Sequence, residues 1–587
     1  MNISHSSWRH ICVLSIALFL ISSSVVTGQN LSTRPDDPTD PLINQGPKSE
    51  AVGDQVMVST QAPQVTEAAL NVLREGGNAF DAFITAVLLQ QVIEPHMVSH
   101  WGIMTGVLYD AENETYHAFD GIGQRPLASR SDEGDPKKVS IGGTVKALGD
   151  IAERYGTWPW ERYFEPAIEA AEEGVYVTSY MHGIIYAAWE NTEAMWPEGV
   201  RDLKDNKEAR DFFRPGGFQV PVGRRWKMPK LAAHLRKMAQ EGADYMYTGD
   251  WAKTFVEESN KLGGRVTMED MAEYEVKWRE PLRFKYRGYE IISEAPPIYG
   301  GLIVGYNLNI LENFDLKSMG HFSESAEALE LMVRTADRVF SEFSRLNDPE
   351  NYYTPEKLLL SKEYGKMGAE FIRNTRVRPG VDLAPSDEDE QEEQSLWASR
   401  AGNQNDFRNR LSFDSNHNVI VDSEGNWISS LHSGHGGTPG YFVDGVEANG
   451  STVEGDVAGP GRRLLAPLAA TIVAKDGKPW LALGTPGFPP QPVTEVLINI
   501  LEYGMHPKEA AEAPRFWQPS DNGKTVRIES RISDDVQKGM ASRGFKLNQL
   551  MEYDWHTGSF QIVWRDSTTG KLHGVTDPRR LGYADGY

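Results

Sequence analysis

Apolar and polar positions change rhythm several times along the chain. From Val65 the apolar residues Ala68, Ala69, Val72 and Leu73 recur at helical spacing, and Gly76-Gly77 closes the segment as left-handed C-cap residues. A second, more apolar helix is predicted from about Ala79 to Val92. Val107-Leu108-Tyr109 and Tyr289-Glu290-Ile291-Ile292 read as strands. The clearest break falls at about residues 376–412, where the run Asp387-Glu388-Asp389-Glu390-Gln391-Glu392-Glu393 resists burial and reads as a solvated loop. Directly after it, Asn418-Val419-Ile420-Val421-Asp422 predicts a short buried strand, Glu424-Gly425-Asn426 a turn, and Trp427-Ile428-Ser429-Ser430-Leu431 a second strand. A flexible segment feeding a buried hairpin suits a chain that is cut there.

The first thirty residues have their own pattern. Arg9 and His10 precede an apolar run from Ile11 to about Ile21 and then small residues, the layout of a secretory signal cleaved near Gly28. The run is short for a spanning helix; an uncleaved anchor at the membrane surface is the alternative. Residues 29–50, rich in Pro, Asp, Asn and Ser, read as a linker. The expected location is therefore secreted or periplasmic. Cys12, the only cysteine, lies inside the signal, so a mature chain would hold no thiol, which excludes thiolate catalysis and zinc-thiolate sites.

A chain of 587 residues exceeds one ordinary core and predicts two domains or one large layered α/β body. The net charge of −24 would repel a phosphate backbone, which excludes a nucleic-acid footprint and leaves a small-molecule or peptide partner. His96 and His100 stand four apart, and His432 and His435 flank Ser433, but no acidic partner or His-Glu-x-x-His pattern accompanies them, so neither a metal nor any other cofactor is expected.

Several blocks occur in a fixed order. They are Leu73-Arg74-Glu75-Gly76-Gly77-Asn78-Ala79-Phe80-Asp81-Ala82 leading to Val92-Ile93-Glu94-Pro95, then Tyr155-Gly156-Thr157-Trp158-Pro159-Trp160 with Pro166-Ala167-Ile168, then Gly263-Gly264-Arg265-Val266-Thr267. Pro296-Pro297-Ile298-Tyr299-Gly300-Gly301, Ala336-Asp337-Arg338, Ser415-Asn416-His417, Gly484-Thr485-Pro486-Gly487 and Ala513-Pro514-Arg515 continue the series. Each is weak alone, but their order over roughly residues 50–520 resembles the γ-glutamyltranspeptidase family of N-terminal-nucleophile hydrolases. The resemblance implies an α/β fold, a four-layer αββα sandwich, made as one precursor that cuts itself. Here the cut would fall between Asp414 and Ser415, giving a large subunit (51–414) and a small subunit of 173 residues (415–587).

An N-terminal hydroxyl residue supplies both nucleophile and base, because an α-amine with a pKa near 8 can take the hydroxyl proton. The family's Thr-Thr-His is Ser415-Asn416-His417 here, and its supporting second hydroxyl falls at Ser433, eighteen residues on. The two serines are either a retained pair or ordinary turn residues of a degenerate relative. The family's Gly-Gly oxyanion turn is represented by Gly487-Phe488, followed by Pro489 and Pro490, which offer no N–H donor; an oxyanion hole and a rigid proline turn both fit. His417 matches a position that supports the fold near the nucleophile.

The substrate contacts diverge. Where the resemblance places an arginine for the glutamyl α-carboxylate, this chain has Ile122, and an alkyl group cannot replace a bidentate, charge-assisted contact. Arg125, nearby, either compensates for the missing arginine or is an exposed surface residue, and the sequence favours the second reading. The family's serine pair is Ala466-Pro467, and the acidic group for the substrate amine falls near Asn449. Trp101 and Trp427 border the motifs and would line a less polar pocket. Three readings stay open: a γ-glutamyl hydrolase or transferase acting on glutathione-like compounds, a specialised acylase, and an uncleaved binding relative.

Overall fold

The computed structural model describes residues 46–128, 139–190, 206–261, 263–343, 353–375, 415–434, 442–448, 460–487, 489–517 and 525–587. The signal segment with Cys12, the acidic run, Asp414, His435, Asn449 and Phe488 lie outside them. Among the described residues no helix is long and apolar enough to cross a membrane.

Fourteen strands build two seven-stranded sheets. In chain order they are β1 (Ala51–Gly53), β2 (Met57–Thr60), β3 (Ile103–Asp110), β4 (Thr115–Gly121), β5 (Lys277–Arg279), β6 (Leu282–Tyr286) and β7 (Tyr289–Ser293). After the acidic run come β8 (Asn416–Val421), β9 (Trp427–Ser433), β10 (Thr471–Lys475), β11 (Lys478–Gly484), β12 (Gln561–Arg565), β13 (Leu572–Thr576) and β14 (Tyr583–Gly586). One sheet runs β1-β13-β12-β11-β10-β7-β6 and the other β14-β2-β8-β9-β3-β4-β5.

Three apolar clusters show how the layers stack. Side chains alternate across a strand: Val419, Val421, Trp427 and Leu431 point between the sheets with Ile292, Ile472 and Ala482, while Ile420 and Ile428 point outward onto the helices. Helices α1 (Pro63–Arg74) and α2 (Ala79–Ile93) cover that outer face, with Val65, Ala69, Phe83 and Val87 in its core. The other sheet is covered by the helices Gly300–Leu311, Ala326–Phe343 and Pro490–Leu501 through residues such as Leu302, Leu329 and Val496. The architecture is the four-layer αββα sandwich.

Both sheets mix strands from either side of residue 415. In one, β8 and β9 sit between β2 and β3; in the other, β10 to β13 sit between β1 and β7. Neither half owns a complete sheet, so the two would stay together after a cut between them.

Local chemistry sets the ends of the elements around β8. Gly76 takes φ +89°, the left-handed C-cap conformation predicted for it, whereas Gly77 is absent from the positive-φ residues and instead lies close against Val72. Asn78 caps α2 and forms a capping box with Asp81. Buried Asp81 also accepts bonds from Thr157 N (2.8 Å) and Tyr163 Oη (2.6 Å), which joins two of the sequence blocks. Asp422, at the end of β8, accepts the N–H groups of Glu424 and Asn426 across the hairpin turn and that of Ala79 at 2.8 Å. The hairpin is thereby tied to the start of α2.

Burial pushes the Glu495 carboxyl, on the helix behind β11, up from 4.5 to about 8; Gln491 and the charges of Arg515 and Arg579 pull it back only in part. A carboxyl raised in the folded state favours folding in its neutral form, so this contribution is present below about 4.5 and lost as pH rises towards 8. Melting temperature measured from pH 5 to 8 should therefore decline more steeply in the wild type than in Glu495→Gln. Parallel slopes would contradict this.

Candidate functional site

Ser415 stands at the mouth of the layer between the sheets, 3% exposed and one residue before the β8 ladder begins. Continued one residue past the end of the ladder, the register that pairs Asn416 with His432 and His417 with Leu431 would set Ser433, the last residue of β9, across from it. On its other edge β9 pairs with β3, Ser433 opposite Ile103. The two serines singled out from sequence thus end neighbouring strands side by side, both buried. Arg580, also buried, donates from Nη1 to the Ser415 carbonyl at 3.4 Å and to the Trp555 carbonyl from Nη2 at 3.5 Å.

His417 faces the opposite sheet. Its Nε2 meets Ser429 Oγ at 2.9 Å, and Gly484 at the end of β11 packs on its ring so closely that a Cβ there would fall 2.4 Å from Nε2. Burial pushes the His417 imidazole down to about 3, helped by His432, which burial lowers equally. A ring held neutral against a glycine braces the layer rather than carrying protons.

From Gly484 the chain turns directly into the oxyanion candidate. Ser559 N donates to Thr485 Oγ1 at 2.6 Å, fixing the turn, and Gly487 takes φ +91°, a conformation that L side chains rarely adopt. The close packing of Gly484 on His417 brings this turn to the end of the layer where β8 begins. Phe488, its other half, lies outside the described residues.

The substrate positions inferred from the resemblance that are described, Ile122, Ala466 and Pro467, are apolar and buried. Ile122 is 1% exposed and Ala466 4%, both in the inter-sheet cluster with Ile103, Ile298 and Leu464. Ala466 is bonded through its carbonyl to Tyr299 N (2.8 Å) and through its N–H to Pro297 O (3.2 Å); Pro467 is buried beside it. The Ile122 backbone is held by Asp120 Oδ1 (3.0 Å) and Tyr274 Oη (2.8 Å). Asp120 in turn lies between two arginines, Arg279 (2.9 Å) and Arg463 (3.3 Å).

One expectation needs correction. Arg125 is not a surface residue: it is 3% exposed, its N–H bonded to Arg462 O at 2.8 Å, because the strand-like stretch around Gln124 pairs with both Ile141 and Arg463 and draws it inward. Trp101 and Trp427 are both buried. Trp101 packs against Tyr247, Trp251 and Phe255, and Trp427 sits in the inter-sheet core. His96 and His100 follow α2 in turns rather than on a helix, and among the described residues no three His, Cys, Asp or Glu side chains form a group that could hold a metal ion.

Sequence reasoning missed several groups. Glu94 appeared only as part of a motif, yet its buried carboxyl accepts Asn416 Nδ2 at 2.9 Å beside the nucleophile position. Arg580 went unnoticed, although the charged string Asp577-Pro578-Arg579-Arg580 between two strands was a signal for it. Glu294, which bonds Thr105 and Ala470 N (2.8 Å) between the sheets, was also passed over; burial pushes it up to about 7.

Comparison with known proteins gives the family and the fold. The family model described as Gamma-glutamyltranspeptidase matches residues 65–587. The glutathione hydrolase proenzyme of Escherichia coli (strain K12) is 28% identical over 555 residues, 90% of this chain and 91% of that protein. The Acylase ACY 1 proenzyme of Pseudomonas sp. (strain SE83) is 29% identical over 538 residues, 85% and 88%. Among solved structures, cephalosporin acylase from Bacillus halodurans shares the fold, with a TM-score of 0.77 at 24% identity over 92% of this chain and 97% of that one.

Proposed function

Because the chain belongs to the gamma-glutamyltranspeptidase family and is an enzyme of its N-terminal-nucleophile type, we propose that it matures by cleavage before Ser415 and then hydrolyses or transfers acyl groups through that residue. The observation that carries this reading is the meeting of Ser415 and Ser433 at adjacent strand ends, on a backbone held by Arg580.

In the precursor the Ser415 hydroxyl attacks the Asp414 carbonyl carbon, the acyl group passes from nitrogen to oxygen, and water hydrolyses the ester. This leaves a free α-amine on Ser415. In turnover that amine takes the hydroxyl proton as Oγ attacks the substrate amide carbon, and returns it to the departing amine. In this reading the Ser433 hydroxyl supports the nucleophile by donating to Ser415 Oγ. The N–H groups of the Gly487-Phe488 turn supply the oxyanion donors. Water, or a second amine, then attacks the ester and frees Ser415.

For the acyl group the γ-glutamyl reading has the support of relatives named glutathione hydrolases. The relatives named acylases support a second reading, which the site favours. Ile122 and Ala466 continue an apolar cluster where a glutamyl α-carboxylate would need a charged partner, and an unpaired buried charge costs roughly 3 kcal/mol, or about a hundredfold. The preferred acyl group is therefore one without the α-amino and α-carboxylate groups. In a comparison of γ-glutamyl and chain-matched pentanoyl anilides, the pentanoyl compound should have the higher kcat/KM, by about a hundredfold. Equal or faster release from the γ-glutamyl anilide would overturn this specificity.

A further inference from the structure

The first residues of a chain fray unless something ties them down, and cleavage before Ser415 would make it such a residue. The β8 ladder starts only at Asn416. Two side-chain contacts act at the junction: Arg580 Nη1 on the Ser415 carbonyl (3.4 Å), and Asn416 Nδ2 on Glu94 Oε2 (2.9 Å). Both lead to Glu94. Gln90, one turn earlier on α2, donates to the same Oε2 at 3.0 Å and accepts Asn418 Nδ2 at 2.9 Å, so α2 grips alternate residues of β8. The Arg580 guanidinium lies near enough for its charge to bear on the Glu94 carboxyl.

We propose that Glu94 is a positioning residue for the nucleophile: its carboxylate holds Asn416 on one side and balances Arg580 on the other, and together these aim the Ser415 amine and hydroxyl. The proposal rests on Ser415 being the nucleophile and adds the group that orients it. Glu94 touches no reacting atom and works only through Asn416 and Arg580. Its charge is what matters, since a neutral amide in its place would still accept from Asn416 but would leave buried Arg580 without that counter-charge.

The clamp has a defined surrounding. Among the described residues Arg580 bears on Glu94 by its charge, His432 stands on β9 opposite Asn416, and the cavity that Glu94 lines is also lined by His96, in the turn after α2, and by Glu67, Glu75, Arg162, Glu165, Glu169, Glu173 and Arg225. His432 is held neutral by burial. The cavity, about 870 Å³, is lined by Leu89, Ile93 and Glu94 on the helical face, giving the carboxyl a route to protons. Burial raises the carboxyl to about 7, so the charged clamp is present above that pH and lost as pH falls through it.

The test uses the full chain, with Glu94→Gln, Glu94→Asp, Asn416→Ala and Ser415→Ala compared on the best anilide. Glu94→Gln should fold and cleave more slowly, with kcat reduced roughly ten- to a hundredfold, KM little changed, and the acid limb of kcat near pH 7 displaced. Glu94→Asp should recover part of the rate, and Asn416→Ala, which breaks the bond that a glutamine keeps, should lower kcat further in the Glu94→Gln background. Wild-type kcat and an unmoved acid limb in Glu94→Gln would overturn the proposal. If that variant does not fold, wild-type kcat in both Glu94→Asp and Asn416→Ala would overturn it. Activity persisting in Ser415→Ala would instead bring down the nucleophile reading, and the clamp with it.

Discussion

Ser415→Ala is expected to run as one uncut chain on a denaturing gel and to lose amide hydrolysis by on the order of 10⁴-fold or more. One hydroxyl performs both steps, so maturation and turnover should fail together. The methyl side chain fits the same buried position, and the fold should survive, with a melting temperature close to that of the uncut wild type. Ser415→Thr, which keeps the hydroxyl, should restore both cleavage and activity in part. Two fragments from Ser415→Ala would mean that another agent cuts the chain. Activity without cleavage would mean that the α-amine is not the base.

The largest stability loss is expected at Arg579. Its guanidinium is fully buried and fully used: Nε and Nη2 meet the two Glu529 oxygens at 2.6 and 2.7 Å, Nη1 meets Asp577 at 3.1 Å, and the Ala511 and Ala513 carbonyls take the remaining donors. Glu529 also binds Arg531, and Asp577 binds Arg515. Removing one member of such a network strands buried charge, at a cost of roughly 3–5 kcal/mol. Arg579→Ala should therefore unfold at far lower denaturant concentration than wild type. Because the next residue is Arg580, what remains folded should also cleave poorly. A midpoint within error of wild type would show that the cluster is not a keystone.

The layers were legible where apolar spacing is regular or an apolar run is short and bounded by turns. Helical spacing from Val65 and the short buried runs at 418–422 and 427–431 located α1, β8 and β9 to within about two residues of their observed ends. The site was legible in part. Ser415 and Ser433 are brought together, and Ile122 and Ala466 are apolar in place as well as in type. The unread part belongs to contacts between distant segments. Nothing near Glu94 in sequence announces Asn416, more than three hundred residues away, and nothing beside Arg580 announces Ser415. Arg125 was misjudged because pairing of Gln124 with Ile141 and Arg463, a tertiary event, decides its burial.

The central claim is that the chain opens at Ser415, and intact mass with N-terminal sequencing of purified wild-type protein tests it most directly. The account predicts two associated fragments, one of them beginning Ser-Asn-His-Asn-Val. A single uncut chain, or a fragment starting at any other residue, would contradict it.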